Sequence, residues 1–165
     1  MKYSVYMLNF MLRLLQLLQN FLQKPDYSNA GRIYLACLAK LGKDASPRDL
    51  APDSLGCAES VSEIIHTVFP EVPIITGTWT FWEYMKKNSR FQETFYPSMG
   101  CIIISPSGTS SKGAKNGHIG IFGDNEIIMS ADSRNGLFLE NWTLKSWKLY
   151  YQDKLGFPIY FFRVI

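Results

Sequence analysis

Four short runs of apolar and β-branched residues in the later part of the chain limit the folds it can adopt. They are CIIIS (101–105), HIGIFG (118–123), EIIMSA (126–131) and FPIYFFRVI (157–165). Each run is bounded by Gly, Pro, Ser or Asn and is short, so each predicts a strand. The GDNE between the second and third runs is a hairpin signal. We therefore expect an antiparallel sheet in this part of the chain.

Helical patterns come before these strands. Residues 28–42 predict a helix that Gly42 can close, and a second predicted helix begins near Cys57 and ends before Pro70. The side of the first helix expected to face the core carries Ile33, Cys37, Leu38 and Leu41. The stretch 78–95 predicts a short helix with Trp82 and Met85 on its buried side. Helices followed by an antiparallel sheet predict an α+β fold with the helices packed on the sheet.

Residues 3–23 form the most apolar stretch and are long enough to span a bilayer. Polar residues recur there at spacings of four and three, which predicts one polar stripe on an apolar helix. They are Asn9, Arg13, Gln16, Asn20 and Gln23. A signal peptide, an inner-membrane anchor, and a helix lying on the domain or in the membrane interface all remain open. Lys24-Pro25-Asp26 breaks the helix, so we expect an apolar segment at 1–24 and a single domain at 25–165.

The cysteines and the net charge exclude several classes of function. A formal net charge of +3, with no dense Lys/Arg cluster, argues against nucleic-acid binding. Three cysteines with no CxxC pair argue against a structural zinc site and a disulfide framework, although a Cys37–Cys101 pair remains open. At least one thiol is left as a candidate nucleophile. Cys57 stands at the start of a predicted helix, where the helix dipole is expected to lower its pKa.

A catalytic thiol needs a base and a group that orients that base. Of the two histidines, His66 lies nine residues after Cys57 on the same helix and faces the other way. His118 opens a strand, from which its ring can reach a neighbouring helix terminus. On the next strand, Ser130 and Asp132 share one face. Asp132 is the preferred third residue because a carboxylate stabilises imidazolium; Ser130 is a weaker acceptor, and a turn-capping role for Asp132 also remains open.

The cysteine at a helix start, PSMGCIIIS and NGHIGIFG together resemble the papain-like cell-wall peptidases of the CHAP and NlpC type. The resemblance implies a papain-like fold over roughly residues 30–163 and hydrolysis of an amide bond in bacterial peptidoglycan. It implies attack by Cys57, proton transfer by His118 and orientation by Asp132, with no metal or cofactor. The backbone N–H of Cys57 would donate to the oxyanion, together with a donor that the sequence does not identify. The size and the apolar first segment resemble a phage endolysin of the cell envelope.

The aromatic residues are candidates for contact with the substrate. Five aromatic residues either line a groove for glycan or stem peptide or belong to the core, and Trp79 and Trp82 are our candidates for substrate contact. The five are Trp79, Phe81, Trp82, Trp142 and Trp147. Residues 140–151 predict a helix or an extended arm.

Two other classes of function are alternatives to a peptidoglycan hydrolase. One is a non-catalytic membrane or virion protein with a peptidase-like fold, and the other is a thiol protease or transferase that acts on a protein.

Overall fold

The computed structural model describes residues 28–50 and 56–165, and these form an α+β fold. The helices are α1 (Asn29–Lys40), α2 (Cys57–Val68), α3 (Thr78–Lys87) and α4 (Leu144–Trp147), and α4 continues as a π-helix (Lys148–Lys154). The strands are β1 (Phe91–Glu93), β2 (Ile102–Ser105), β3 (His118–Phe122), β4 (Ile127–Asp132), β5 (Leu137–Thr143) and β6 (Tyr160–Val164). They form one antiparallel sheet in the order β1-β6-β2-β3-β4-β5. The expectation of helices followed by an antiparallel sheet is confirmed.

The predicted apolar segment at 3–23 and the break at 24–26 lie outside the described residues. Across residues 28–50 and 56–165, none of the helices has the length and apolar character that crossing a membrane requires.

All four predicted strands are present, and so is the predicted hairpin. Asn125 and Glu126 have positive φ angles of 52° and 60°, as the central residues of a tight two-residue turn require. Two further strands were not predicted. Residues 91–93 belong to β1 and not to the helix expected over 78–95, because they pair with β6 at one edge of the sheet. Strand β5, at the other edge, has the sequence LFLENWT. Polar residues interrupt it, so it does not contain the apolar run that predicts a strand elsewhere in this chain.

Side chains alternate along the strands between two separate apolar cores. Ile102 and Ile104 of β2 pack in the core that the sheet shares with α1, α2 and α3, whereas Ile103 packs in the core beneath α4 and the π-helix. Helical structure therefore covers both faces of the central strands. Because β2 is buried on both faces, its sequence is a continuous apolar run and does not alternate with polar residues.

Helix α1 begins and ends where the sequence predicts. The Ser28 hydroxyl accepts a hydrogen bond from the Gly31 N–H at 3.1 Å, and Gly42 closes the helix with a φ of 73°. Ile33 and Cys37 are fully buried, as expected. The prediction for Leu38 is wrong, since 38% of its surface is exposed. It follows Cys37 by one residue and is therefore turned about 100° away from the buried stripe.

Candidate active site

Cys57 is the first residue of α2, the helix that lies on β3 and β4. The apolar side of α2 is fully buried through Ala58, Val61 and Ile65. Cys37, Cys57 and Cys101 are all free thiols, so the Cys37–Cys101 pair left open above is not formed.

Glu59 ties the loop before α2 to the first turn of this helix. Its carboxylate is fully buried and accepts hydrogen bonds from the Ser46 hydroxyl and from the Arg48 N–H, the latter at 3.2 Å. An acidic residue near a helix N-terminus is also favoured by the helix dipole. Glu59 therefore helps to fix the helix end that carries Cys57.

The strand that carries His118 starts at a point of very close backbone contact. A Cβ atom on Gly117 would lie 1.9 Å from the Ser105 carbonyl oxygen, so only glycine fits there. The Gly117 N–H donates to the Ser107 hydroxyl at 2.9 Å. The His118 ring contacts the Trp147 ring, with centroids 5.2 Å apart, and the Tyr151 ring at 5.5 Å and an interplanar angle of 14°.

Cys57 and His118 reach the same pocket from opposite faces of the sheet. The β3–β4 ladder consists of the pairs Ile121↔Met129 and Phe122↔Ile128, so the end of β3 that carries His118 lies beyond the paired stretch. A pocket of about 570 Å³ is present there, a size typical of ligand sites. Its wall includes Cys57, His118, Asp132, Arg134, Asn141, Trp142, Tyr150 and Tyr151.

Burial controls the protonation state of both the Cys57 thiol and the His118 imidazole. It raises the pKa of the Cys57 thiol to about 11, although hydrogen bonds from the backbone N–H groups of Ile119, Ala58 and Cys57 act in the opposite direction. The N–H groups at the helix terminus act in the expected direction, but burial outweighs them, so the expected lowering of the Cys57 pKa is wrong as a net effect. Burial also lowers the pKa of His118 to about 4, while the Asp132 charge raises it in part. At neutral pH both the thiol and the imidazole are uncharged.

A chain of two hydrogen bonds orients the His118 ring. Its Nε2 lies 2.9 Å from the Ser130 Oγ, and the Ser130 hydroxyl donates its single hydrogen to the Asn141 Oδ1 at 2.8 Å. The Ser130 oxygen must then accept from an Nε2–H. In the neutral ring this leaves Nδ1 without a proton and able to accept one.

Ser130, and not Asp132, lies within hydrogen-bond reach of the imidazole. The Asp132 carboxylate instead accepts the Arg134 N–H at 2.8 Å, and its carbonyl accepts the Gly136 N–H at 2.8 Å. Asp132 thus caps the turn between β4 and β5, which is the alternative left open above. Its charge still acts on His118, since it raises the pKa of the ring.

The other predicted residues lie away from this pocket. Trp79, which is 46% exposed, and the half-buried Trp82 are on α3; their ring centroids are 5.1 Å apart, and neither ring is part of the pocket wall. Trp142, from the same set of aromatic residues, does line the pocket. The His66 Nδ1 is 2.7 Å from the Val72 carbonyl oxygen, so His66 is a hydrogen-bonded histidine outside the site.

The residues of the pocket wall that sequence reasoning missed include Asn141, Tyr150 and Tyr151. They come from β5 and from the π-helix, two elements without a clear periodicity in the sequence. π-Helical turns are rare and often occur at functional sites. Within the described ranges, no group of three or more His, Cys, Asp or Glu residues could hold a metal ion.

A comparison of the chain with protein-family models finds no match, and a comparison with curated proteins finds no significant match.

Proposed function

We propose that this protein is a peptidoglycan hydrolase, an amidase or endopeptidase that uses Cys57 as its nucleophile. One observation carries the proposal: a thiol at a helix terminus and an oriented imidazole line the same pocket. A helix that begins with Cys and packs on an antiparallel sheet, next to a strand that begins with His, also supports a papain-like arrangement. The resemblance of NGHIGIFG to cell-wall peptidases supports the choice of substrate.

The protonation states suggest how the reaction starts. His118 is neutral at pH 7, and its Nδ1 is free to take the thiol proton as the sulfur attacks the substrate carbonyl. The Cys57 sulfur then forms a bond to the carbonyl carbon. The tetrahedral intermediate collapses as the C–N bond breaks and His118 returns the proton to the leaving amine. Water, activated by the same ring, hydrolyses the acyl-enzyme.

Ser130 and Asp132 divide the supporting role between them. Ser130, held by Asn141, keeps the ring in the tautomer with a basic Nδ1. Asp132 makes no hydrogen bond to the ring, but its negative charge favours the imidazolium that forms during attack. In this mechanism Asp132 stabilises charge and the Ser130–Asn141 pair sets orientation.

The pocket edge suits an acidic peptide next to a sugar chain. Arg134 is exposed there, and its guanidinium makes no ion pair with residues 28–50 or 56–165. Stem peptides of peptidoglycan carry free carboxylates that a guanidinium can bind in a bidentate manner. Trp142 adds aromatic surface beside it. Trp79 and Trp82 would contact substrate only beyond the pocket.

This function places the protein in the cell envelope, as an endolysin-like enzyme that reaches the wall. Residues 3–23 would hold it at the inner membrane. Fractionation of cells that express the full chain tests this placement. Recovery of the whole intact chain in the soluble fraction would count against it.

The function is tested with three proteins on purified peptidoglycan: the wild type, Cys57→Ser and Cys101→Ser. Cys101 is a matched control, because it is also a free thiol but lies in the core beneath the π-helix, where only 2% of its surface is exposed. We expect the wild type and Cys101→Ser to clear the suspension and Cys57→Ser to leave it turbid. Product masses then distinguish a cut at the sugar–peptide amide from a cut within the stem.

Two results would replace the proposal with an alternative. Binding without clearing, equal in wild type and Cys57→Ser, would favour a non-catalytic envelope or virion protein. Cys57-dependent cleavage of casein, with peptidoglycan untouched, would favour a thiol enzyme that acts on proteins.

A further inference from the structure

Acyl transfer places a negative charge on the substrate carbonyl oxygen, and donors must be aimed at it. The N–H of Cys57 is one such donor at the start of α2. A second donor is expected to be a polar group that lines the pocket and has its hydrogen free.

The Tyr151 hydroxyl meets this description. Tyr151 is only 8% exposed and lines the pocket with Cys57 and His118. Its hydroxyl makes no hydrogen bond to any residue that the structure describes. The Tyr151 ring is buried, but its hydroxyl is not sealed from solvent, so its hydrogen is available to a ligand atom in the pocket.

Packing holds the Tyr151 ring in place. It stacks on the His118 ring with an interplanar angle of 14°, and it contacts the Trp147 ring with centroids 4.8 Å apart. Trp147 is itself anchored, because its indole N–H donates to the Ser105 hydroxyl at 3.1 Å. The donor therefore needs little reorganisation when charge develops.

We propose that the Tyr151 hydroxyl is the second oxyanion donor of the site. The proposal rests on the proposed function, in that Cys57 must be the nucleophile. The phenol donates a hydrogen bond as the tetrahedral intermediate forms and keeps its proton throughout. Burial and the nearby Cys57 sulfur raise the pKa of Tyr151, which keeps the hydroxyl protonated.

Tyr150 offers a matched control. It is the preceding residue of the π-helix and lines the same pocket, but it is 39% exposed and packs on Trp142 and under the Lys154 ammonium. Tyr150→Phe and Tyr151→Phe both remove one phenolic oxygen from the pocket and retain the ring.

The test compares two reactions of the same sulfur. Acetyl transfer from p-nitrophenyl acetate passes through an oxyanion, as the Cys57 sulfur bonds to the acetyl carbon, His118 takes the thiol proton and p-nitrophenolate leaves. Alkylation by iodoacetamide, in which the sulfur bonds to carbon, His118 again takes the thiol proton and iodide leaves, forms no oxyanion. We expect Tyr151→Phe to slow acetylation of Cys57 by about 100-fold and to leave its alkylation unchanged. Tyr150→Phe should change neither rate.

Each other outcome is decisive. If Tyr151→Phe slows both reactions equally, or does not fold, the hydroxyl has a structural role and the proposal is overturned. If neither rate falls but Cys57→Ser still cannot clear peptidoglycan, the Tyr151 proposal is wrong and the proposed hydrolase function stands. If wild-type Cys57 is not acetylated at all, both the Tyr151 proposal and the proposed hydrolase function are wrong.

Discussion

Replacing His118 with glutamine should remove a loss of stability that the wild-type protein suffers in mild acid. Glutamine cannot become charged, and its amide can still donate a hydrogen bond to Ser130. The wild-type ring is 8% exposed and is packed against Trp147 and Tyr151, so its charged form is poorly solvated. The perturbation therefore isolates the cost of placing a proton on this histidine.

The size of the effect follows from the two pKa values. Burial lowers the pKa of His118 to about 4 in the folded protein, against 6.5 for an ordinary histidine. As the pH falls below 6.5 the unfolded chain takes up the proton first, which favours unfolding. The stabilising contribution is complete above pH 6.5 and is lost as the pH falls to about 4. At about 1.4 kcal/mol per pH unit, the loss is about 3 kcal/mol.

Urea titrations followed by tryptophan fluorescence, from about pH 8 to about pH 4, give the free energy of unfolding at each pH. We expect the wild type to lose about 3 kcal/mol more than His118→Gln over this range. His66→Gln is the control and should keep the wild-type loss, since His118 is still present. Parallel profiles for wild type and His118→Gln would refute the reasoning, because His118 would then titrate alike in the folded and unfolded states.

Three further variants test the supports of the site. Gly117→Ala should lower the free energy of unfolding by about 3 kcal/mol in urea titrations, because its Cβ would meet the Ser105 carbonyl oxygen. Gly123→Ala is the control: its Cβ would meet side-chain atoms first, so the free energy of unfolding should fall by clearly less. Glu59→Ala should also lower the free energy of unfolding by about 3 kcal/mol, since the buried Ser46 hydroxyl and the Arg48 N–H lose their acceptor; an unchanged value would exclude the proposed role of Glu59. Ser130→Ala should lower kcat for peptidoglycan by about 100-fold with KM unchanged; an unchanged kcat would remove Ser130 from the mechanism.

The fold was largely predictable where a strand is buried on both faces or a helix has a local capping residue. Strands buried on both faces, such as β2, have continuous β-branched runs, and α1 has a local cap at Ser28. Strand β5 was missed because its polar residues Glu140, Asn141 and Thr143 neither alternate with apolar ones nor leave a continuous apolar run. Strand β1 was missed because three residues carry too little pattern, and only its pairing with β6 makes them a strand.

The site was predictable only in part. Cys57 and His118 have local signals, namely a helix start and a strand that begins after Gly117. The choice between Ser130 and Asp132 depends on where the β3–β4 ladder ends, which alternation along a strand does not specify. The pKa of Cys57 was predicted in the wrong direction because the helix terminus is local, whereas burial depends on tertiary packing.

The position of Tyr151 also depends on tertiary structure. The π-helix brings its ring onto His118, and no periodicity in the sequence marks that turn. The same holds for Asn141, which reaches the imidazole only through Ser130.

The most direct test of the central claim, that the Cys57 thiol performs the chemistry, is a titration of activity against alkylation. Wild-type protein is labelled with iodoacetamide to increasing extents, the labelled cysteine is located by peptide mass, and peptidoglycan clearing is measured on each sample. We expect label on Cys57 and not on Cys37 or Cys101, which are 0% and 2% exposed, and activity that falls in proportion to Cys57 labelled. Full labelling of Cys57 with clearing retained would contradict the mechanism.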